Sequence, residues 1–473
     1  MQISRENKCS FLLLLMKIGL FVLVALSFFI TMGLNTPYIL NISRTAAIVG
    51  FGFTVLFLLF MNIYHGFDIQ HEQSRHIIFS AIISVLLTDA GAFFELMIMN
   101  FNENNRSTLV PEWADIGCLL LCLVLQFFWV VFYTRSTKFL YYRMTPPRKC
   151  CVVVSSLAKE KELSDKLSPY RKRYMLQEAL CCDQPDLLER LSQFDQVFLY
   201  DLPSEERARL VEYCYKIRKP VQYDMVLQDV IGLSGTQDIL DDAPFVSIDR
   251  LSLTLEQRIV KRALDIVFSA AALVLLSPLM LGCAVAIRLC DGGPALFRQD
   301  RATQNGRIFT IYKFRTMCVG ADSETSVINS DGRITPVGRF LRRWRLDELP
   351  QFINILKGDM SVVGPRPEML SNVREYTRIM PEFSYRLRVK AGLTGYAQIA
   401  GRYNTSPKDK MMMDLMYIER YSLLEDIKLI LRTITVFSKQ DSTQAFEHAP
   451  TESADSACHA STDAGCNDKI VKS

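Results

Sequence analysis

Residues 339–358 read RFLRRWRLDELPQFINILKG, and the expected fold of the chain is built outward from this stretch. Two adjacent carboxylates, Asp347 and Glu348, stand at its centre. Pro350 fits the first turn of a helix, where a backbone N–H has no hydrogen-bond partner and proline, which lacks one, loses nothing. Gly358 fits the end of that helix, because glycine readily adopts the left-handed conformation that ends many helices. Acids at a helix start are favoured by the helix dipole and often do nothing more. The pair is therefore either a structural helix start or the centre of a phosphate-transfer site.

A basic segment precedes the two acids. Thr335 and Pro336 predict the start of a helix, since a threonine hydroxyl caps free N–H groups and proline fits the first helical position. The cations of this helix would attract phosphate, either on lipid headgroups at a membrane surface or at a reaction centre. They are Arg339, Arg342, Arg343 and Arg345.

Further upstream, residues 295–317 predict a hairpin of two strands around Asn305-Gly306, a dipeptide typical of tight turns. Side chains two positions apart in a strand share a face. Lys313 and Arg315 are therefore expected to project together, which suits a diphosphate. An ordinary solvated face is the alternative at this point.

Downstream of the acids, Pro365-Arg366-Pro367 predicts a rigid turn with one projecting guanidinium that can hold a phosphate or a nucleoside. The glycine-rich segment 391–396 predicts a loop that closes the site. Two amphipathic helices suited to a membrane interface are predicted at 410–421 and 424–437.

Residues 255–439 contain no histidine, and their cysteines are Cys283, Cys290 and Cys318. A nucleophile activated by histidine is therefore unavailable there. A carboxylate is the best remaining nucleophile, because it needs no base to activate it.

An apolar run at residues 263–289 is long enough to cross a membrane. Ser277-Pro278 lies near its middle, and proline removes a helix hydrogen bond and kinks the axis. Basic residues flank both ends, which places both ends on the cytoplasmic face by the positive-inside rule. A re-entrant helix broken at Ser277-Pro278 satisfies this pattern; a kinked transmembrane helix is the alternative.

The N-terminal part, residues 1–147, contains four apolar runs of membrane-spanning length. The chain is 49% hydrophobic and 22% charged, which indicates membrane segments joined to water-exposed domains. Residues 135–149 carry five basic residues and no acid, so they are expected on the cytoplasmic side. The net charge of +4 is too small for a global nucleic-acid-binding field.

Residues 148–249 predict a small parallel α/β module, because strand-like runs alternate with helical stretches. Its first strand is followed by SSLAK rather than a glycine-rich turn, so a structural or regulatory Rossmann-like module is favoured over a dinucleotide site. A linker is expected at 234–249 and a disordered tail at 440–473. No pair of CxxC units occurs, which argues against a zinc site.

Four motifs, taken in order, resemble the bacterial sugar transferases, the monotopic polyprenyl-phosphate hexose-1-phosphate transferases. They are KRALDIVFSAAALVLLSPL, LFRQDRATQNGRIFTIYKFRTM, RITPVGRFLRRWRLDELPQFINILKGDMSVVGPRPE and KAGLTGYAQIAGR. The resemblance covers about residues 255–439. It implies the long form of the family: a membrane protein with an N-terminal four-helix transmembrane bundle, a Rossmann-like α/β module, and an α+β monotopic phosphoglycosyl transferase domain with a re-entrant membrane helix.

The resemblance also implies a two-step mechanism. Asp347 attacks the sugar-bearing phosphate of a UDP-hexose and releases UMP, and polyprenyl phosphate then takes the phosphosugar. Glu348, with Asp347, helps to hold Mg²⁺. Residues matched to substrate binding are Lys313, Arg315, Arg339, Arg342, Arg343, Pro365, Arg366 and Pro367, and those matched to the membrane helix break are Ser277 and Pro278.

The implied location is the bacterial inner membrane, multi-pass, with the catalytic domain on the cytoplasmic face. The implied pathway is exopolysaccharide or O-antigen assembly; the sugar, and whether the protein is a homodimer, stay open. Two departures from the pattern stand out: Trp344 and Arg345 replace a frequent Thr-Ser pair, and Ala397 replaces a common tryptophan. An inactive membrane scaffold and a glycosyl transferase that releases UDP are the alternatives.

Overall fold

The structure is a computed structural model that describes residues 2–69, 74–101, 110–184, 186–248, 253–320, 332–401 and 405–436. The chain divides into two compact units. The first comprises Met1–Leu251 with Glu419–Lys439, and the second is built around Ser252–Ile418. The tail at 440–473, predicted to be disordered, lies outside the described residues.

The first unit begins with four long helices, which confirms the helical nature of the four apolar runs. They are α1 Gln2–Gly33, α2 Arg44–Ile63, α3 Ser74–Asn100 and α4 Trp113–Met144. Each is long and apolar enough to cross a membrane. Helix α1 packs on α4, α2 packs on α3, and α3 also contacts α4. Buried rings such as Phe28, Phe53 and Phe57 fill the interior, while Phe51 on the outer surface is exposed, as expected of a lipid-facing side chain.

One buried polar cluster links three of these helices. Gln126 on α4 donates from Nε2 to Asp89 Oδ1 on α3 at 3.1 Å and to the Val24 carbonyl on α1 at 3.2 Å. Trp129 Nε1 donates to Ser27 Oγ at 3.1 Å. Such bonds tie apolar helices together where lipid gives no hydrophobic driving force for their association.

A four-stranded parallel sheet of order β2-β1-β3-β4 follows, as the sequence predicts for a Rossmann-like module. Its elements are β1 Arg148–Val154, α5 Leu157–Leu167, β2 Tyr174–Cys181, α6 Leu187–Leu191, β3 Gln196–Tyr200, α7 Ser204–Lys216, β4 Val221–Tyr223 and α8 Leu227–Ile231. Val152 and Val153 are fully buried on the two faces of β1. Apolar side chains therefore cover both sides of the sheet, as a central parallel strand requires.

The expected linker at 234–249 is wrong. Its residues form an antiparallel hairpin of β5 Thr236–Leu240 and β6 Ala243–Ser247. Asp241 makes the turn with φ 59°, a left-handed conformation that aspartate tolerates better than most residues. Asp241 and Asp242, which contributed to the linker prediction, are thus turn residues between two strands.

The second unit consists of a long helix and a mixed α/β part. Its elements are α9 Leu255–Asp291, β7 Leu296–Ala302, β8 Ile308–Phe314, α10 Pro336–Arg343, α11 Gln351–Lys357, β9 Ser361–Val363, α12 Leu370–Ile379, β10 Gly392–Thr394, α13 Tyr396–Ala400 and α14 Pro407–Glu419. The last helix, α15 Leu423–Val436, belongs to the first unit and contacts α2 and α3. Strands β7 and β8 form the predicted hairpin, with Asn305 and Gly306 at φ 58° and 73°.

Helix α9 continues through Ser277 and Pro278, so the break predicted there is not an interruption of helical conformation. Proline at 278 has no N–H to offer to the carbonyl of Val274, four residues earlier. The Ser277 hydroxyl donates to that carbonyl instead, at 2.8 Å. Serine thus satisfies the carbonyl that proline leaves unpaired, as an apolar environment demands. The re-entrant path stays a prediction.

Candidate active site

A short 3-10 turn, Leu346–Glu348, carries the two acids between α10 and α11. Thr335 caps α10 by accepting a bond from the Gly338 N–H at 2.9 Å, as predicted. Arg345 then adopts a left-handed conformation with φ 52°, which redirects the chain into the turn. Gly358 ends α11 at φ 88°, also as predicted. The local signals of the sequence therefore position Asp347 and Glu348 between two capped helices.

Glu348 is held by two cations from distant parts of the second unit. Arg366 donates from Nη2 to Glu348 Oε1 at 2.7 Å, and Lys313 Nζ on β8 lies 3.8 Å from the same oxygen. Burial alone would raise the pKa of Glu348, but Arg366, Lys313 and Arg345 outweigh burial and hold the pKa well below its usual range. Glu348 is therefore a fixed anion at any ordinary pH.

Asp347 is different, because no hydrogen bond to its carboxylate occurs within the part of the chain that the structure describes. Burial and the neighbouring charge of Glu348 raise the pKa of Asp347 to about 6, against the opposing effects of Lys313, Arg342 and Arg366. The carboxylate is thus ionised near neutral pH and is not committed to a protein partner. That is the state required of a carboxylate nucleophile.

A buried ion pair supports the turn that carries Arg366. Arg386 and Asp414 are 3% and 1% exposed, and Arg386 Nη2 lies 2.6 Å from Asp414 Oδ2. The same Nη2 donates to the Arg366 carbonyl at 2.8 Å. Arg386 Nη1 also approaches Glu368 Oε1 at 3.9 Å. Helix α14 is therefore connected through one guanidinium to the backbone of the residue that binds Glu348.

Not all predicted substrate-binding residues meet at the acid pair. Lys313 and Arg366 do, and Arg342, whose Nε donates to Thr316 Oγ1 at 2.8 Å, lies within electrostatic reach of Asp347. Arg315 forms an ion pair with Asp291 at the end of α9 instead.

The remaining predicted residues have other places. Arg339 and Arg343 are exposed and form no ion pair with any described residue. Pro365 is buried, and its carbonyl accepts the Gly392 N–H at 2.8 Å. The Pro367 carbonyl accepts a bond from Arg301 Nη1 at 3.4 Å. The two prolines therefore shape the turn through their backbones.

Four charged residues that contact the Pro365-Arg366-Pro367 turn or each other were not predicted from the sequence. They are Arg301, Glu368, Arg386 and Asp414. Burial and the charge of Arg366 lower the pKa of Arg301 to about 10, and Glu368 carries the opposite charge nearby. Glu368 follows the Pro-Arg-Pro turn directly, and that position was the one available signal.

The two carboxylates fit a divalent cation that takes most of its ligands from a substrate. No group of three or more His, Cys, Asp or Glu side chains within the described ranges is arranged to hold a metal. Both contacts of Glu348 involve Oε1, which leaves its Oε2 and the Asp347 carboxylate for a cation. Mg²⁺ is typically bound by one or two carboxylates together with substrate phosphates and water, so this donor set suits it.

Comparison with known proteins identifies relatives of this chain. Residues 256–440 match the family model described as bacterial sugar transferase. A UDP-N-acetylgalactosamine-undecaprenyl-phosphate N-acetylgalactosaminephosphotransferase from Aeromonas hydrophila is 42% identical over 180 residues, 37% of this chain and 43% of that protein. A UDP-glucose:undecaprenyl-phosphate glucose-1-phosphate transferase from Escherichia coli (strain K12) is 40% identical over 237 residues, 48% of this chain and 51% of that protein.

A third relative is shorter and is matched over most of its length. It is a UDP-glucose:undecaprenyl-phosphate glucose-1-phosphate transferase from Caulobacter vibrioides, 39% identical over 211 residues, which are 43% of this chain and 78% of that protein. The chain spans about half the length of the first two relatives. The names of all three proteins describe transfer of a sugar phosphate to undecaprenyl phosphate.

Proposed function

Since the chain belongs to the bacterial sugar transferase family, we propose that it transfers a hexose 1-phosphate from a UDP-hexose to polyprenyl phosphate, with undecaprenyl phosphate as the acceptor, and releases UMP. The relatives named above differ in their sugar, glucose in two and N-acetylgalactosamine in one. The proposal therefore leaves the sugar open. The observation that carries it is the Asp347 carboxylate, which accepts no hydrogen bond from any described residue and lies near one fixed anion, Glu348, and three cations, Lys313, Arg342 and Arg366.

The first step uses Asp347 as the nucleophile. One carboxylate oxygen attacks the phosphorus that bears the sugar, the bond from that phosphorus to the bridging oxygen of the donor breaks, and UMP leaves with that oxygen. An acyl phosphate links the phosphosugar to Asp347. Lys313 and Arg366 contact Glu348 and lie within electrostatic reach of Asp347, so they would provide positive charge where the phosphoryl oxygens sit.

In the second step the same phosphorus is attacked by an oxygen of the lipid phosphate. The bond to Asp347 breaks, the carboxylate is regenerated, and a diphosphate-linked lipid sugar forms. The two steps amount to a ping-pong mechanism. Arg342, which lies within electrostatic reach of Asp347, would attract the lipid phosphate. A Mg²⁺ ion held by Glu348 and Asp347 would offset the charge of the donor diphosphate.

The proposed location is the inner membrane, with the catalytic unit on the cytoplasmic face. Five helices of the described residues are long and apolar enough to cross a membrane, and the basic segment after α4 supports this orientation. A UDP-hexose is a soluble metabolite and the acceptor is a lipid, so the reaction needs a site at the membrane surface. The step would begin the assembly of a lipid-linked polysaccharide unit.

The test is a nucleotide assay on the full chain in nanodiscs. A panel of UDP-sugars is supplied with and without undecaprenyl phosphate, and released UMP and UDP are separated. We expect catalytic UMP release with both substrates and about one UMP per protein with donor alone. UDP release would instead identify a glycosyl transferase, and no release with any sugar of the panel would favour an inactive scaffold.

A further inference from the structure

Helix α10 has two faces of opposite character. On one, Val337 and Leu341 pack against Cys283 and Ile287 of the apolar helix α9. On the other, Arg339 and Arg343 are exposed and Phe340 is 57% exposed. Trp344, the residue after the helix, is 47% exposed. An exposed phenylalanine and tryptophan beside two arginines that form no ion pair with any described residue are unusual on a purely aqueous surface.

The residues are ordered around the helix in a specific way. Successive residues are rotated by roughly 100° in a helix of 3.6 residues per turn. Arg339 and Arg343 are each two positions from Leu341 and therefore lie roughly 160° from it, on the far side from α9. Phe340 lies between those two sides. Moving away from the apolar helix α9, one meets aliphatic, then aromatic, then cationic side chains.

The outer part of this order suits a membrane interface. Val337 and Leu341 are packed within the protein against α9. Beyond them, aromatic residues concentrate at the boundary of the hydrocarbon layer and arginines extend to the headgroups. Because α9 is itself long and apolar enough for a membrane and α10 packs directly on its C-terminal half, the order continues outward from a membrane-embedded element.

We propose that the outer face of α10, formed by Arg339, Phe340, Arg343 and Trp344, docks onto the headgroup layer of an anionic phospholipid bilayer. Charge complementarity selects this occupant. The face carries two cations, α10 contains no acidic residue, and no ion pair to Arg339 or Arg343 is present among the described residues. Anionic lipids attract such cations at short range.

The three arginines of α10, which are close together in the sequence, then have two different roles. Arg342 points the other way, onto Thr316 and toward Asp347, and belongs to the reaction site. Arg339 and Arg343 bind bulk lipid and hold the helix at the depth where a lipid phosphate meets that site. The inference does not depend on the transferase activity, so it can fail while the proposed function stands.

The first experiment locates Trp344 relative to the bilayer. Native protein and Trp344→Phe are placed in nanodiscs with lipids brominated near the top of the acyl chain or with unbrominated lipids. The difference in emission between the two proteins reports Trp344. We expect this emission to lose most of its intensity with brominated lipid. Unchanged emission would place Trp344 in water and overturn the proposal.

The second experiment tests the arginines by hydrogen exchange of the α10 amides, without substrates. Two arginines at an anionic surface correspond to a roughly thirtyfold change in an equilibrium constant. Exchange in the native protein should therefore slow by up to about that factor when zwitterionic lipid is replaced by anionic lipid. The Arg339→Gln/Arg343→Gln protein should lose this effect.

A matched control removes two exposed arginines from α12, as Arg374→Gln/Arg378→Gln, and should keep the lipid effect on α10. The outcome that would overturn the proposal is exchange that ignores lipid charge in the native protein. Slowing that appears only when UDP-sugar or undecaprenyl phosphate is added to zwitterionic nanodiscs would overturn it too, and would assign Arg339 and Arg343 to a substrate.

Discussion

Arg366 donates to Glu348 at 2.7 Å, and this bond makes two adjacent carboxylates chemically different. One carboxylate oxygen of Glu348 accepts the bond from Arg366, and the lowered pKa keeps Glu348 ionised. Asp347, one residue earlier, has no such bond to any described residue, and burial and the charge of Glu348 raise its pKa to about 6. The asymmetry supports our proposal that Asp347 is the nucleophile and that Glu348 acts through its negative charge.

Asp347→Asn is expected to abolish UMP release in the presence of donor alone. An amide is not a nucleophile at phosphorus, and loss of a nucleophile typically costs at least about a thousandfold in rate. The measurement is UMP per protein together with intact-protein mass, which detects the phosphosugar adduct. The exposed substitution Glu375→Gln serves as the control and should keep both signals. An adduct of full stoichiometry on Asp347→Asn would remove Asp347 from the mechanism.

The rate of the donor half-reaction is expected to rise with pH through about 6 and then level off. Burial and Glu348 raise the pKa of Asp347 to about 6, so the carboxyl is protonated and inert below that pH and ionised above it. Single-turnover UMP release without acceptor is the right measurement, because the lipid phosphate also titrates near pH 6.

Glu348→Gln provides the check on this assignment. Removing the like charge should lower the pKa of Asp347 and move the inflection to more acidic pH, even as the maximal rate falls. A Glu348→Gln profile with its inflection at the native pH would contradict the electrostatic coupling of the two acids.

Arg386→Ala is expected to destabilise the protein by about 3 kcal/mol, because it leaves the carboxylate of Asp414 buried without its partner. It should also reduce UMP release, since the Arg366 carbonyl loses the donor that positions its turn. Thermal unfolding in detergent and the donor half-reaction measure the two effects separately.

The double variant Arg386→Met/Asp414→Leu separates packing from positioning. Replacing both partners of a buried pair by apolar side chains often restores stability. We expect the melting temperature to recover, while UMP release in the donor half-reaction stays reduced because the Arg366 carbonyl still lacks its donor. Full recovery of both quantities would reduce the Arg386–Asp414 pair to a purely structural element.

Signals confined to a few consecutive residues predicted the structure well. The Thr335 cap, the Asn305-Gly306 turn and the Gly358 terminus depend on backbone conformations that the residue types themselves favour. The position of the acid pair between two helices follows from them.

Contacts between distant residues could not be predicted in this way. Arg386 and Asp414 resemble ordinary surface charges in the sequence, and only folding brings them together at 2.6 Å. The prediction that Arg315 projects beside Lys313 depended on the alternation of side chains along a strand. Strand β8 ends at Phe314, so this alternation no longer applies at Arg315, which pairs with Asp291 instead. Periodicity holds only as far as the strand does.

We predict that the membrane path of α9 depends on Pro278, whose missing bond to the Val274 carbonyl is replaced by one from the Ser277 hydroxyl at 2.8 Å. If the helix re-enters, a cysteine introduced at Glu256 and the exposed native Cys290 should react with a membrane-impermeant maleimide from the same side, as located by peptide mass spectrometry. Pro278→Ala restores the missing N–H and straightens the helix, so a population labelled from opposite sides should appear. Leu279→Ala, the adjacent control, should behave like the native protein. Labelling of the native ends from opposite sides would establish a crossing helix instead.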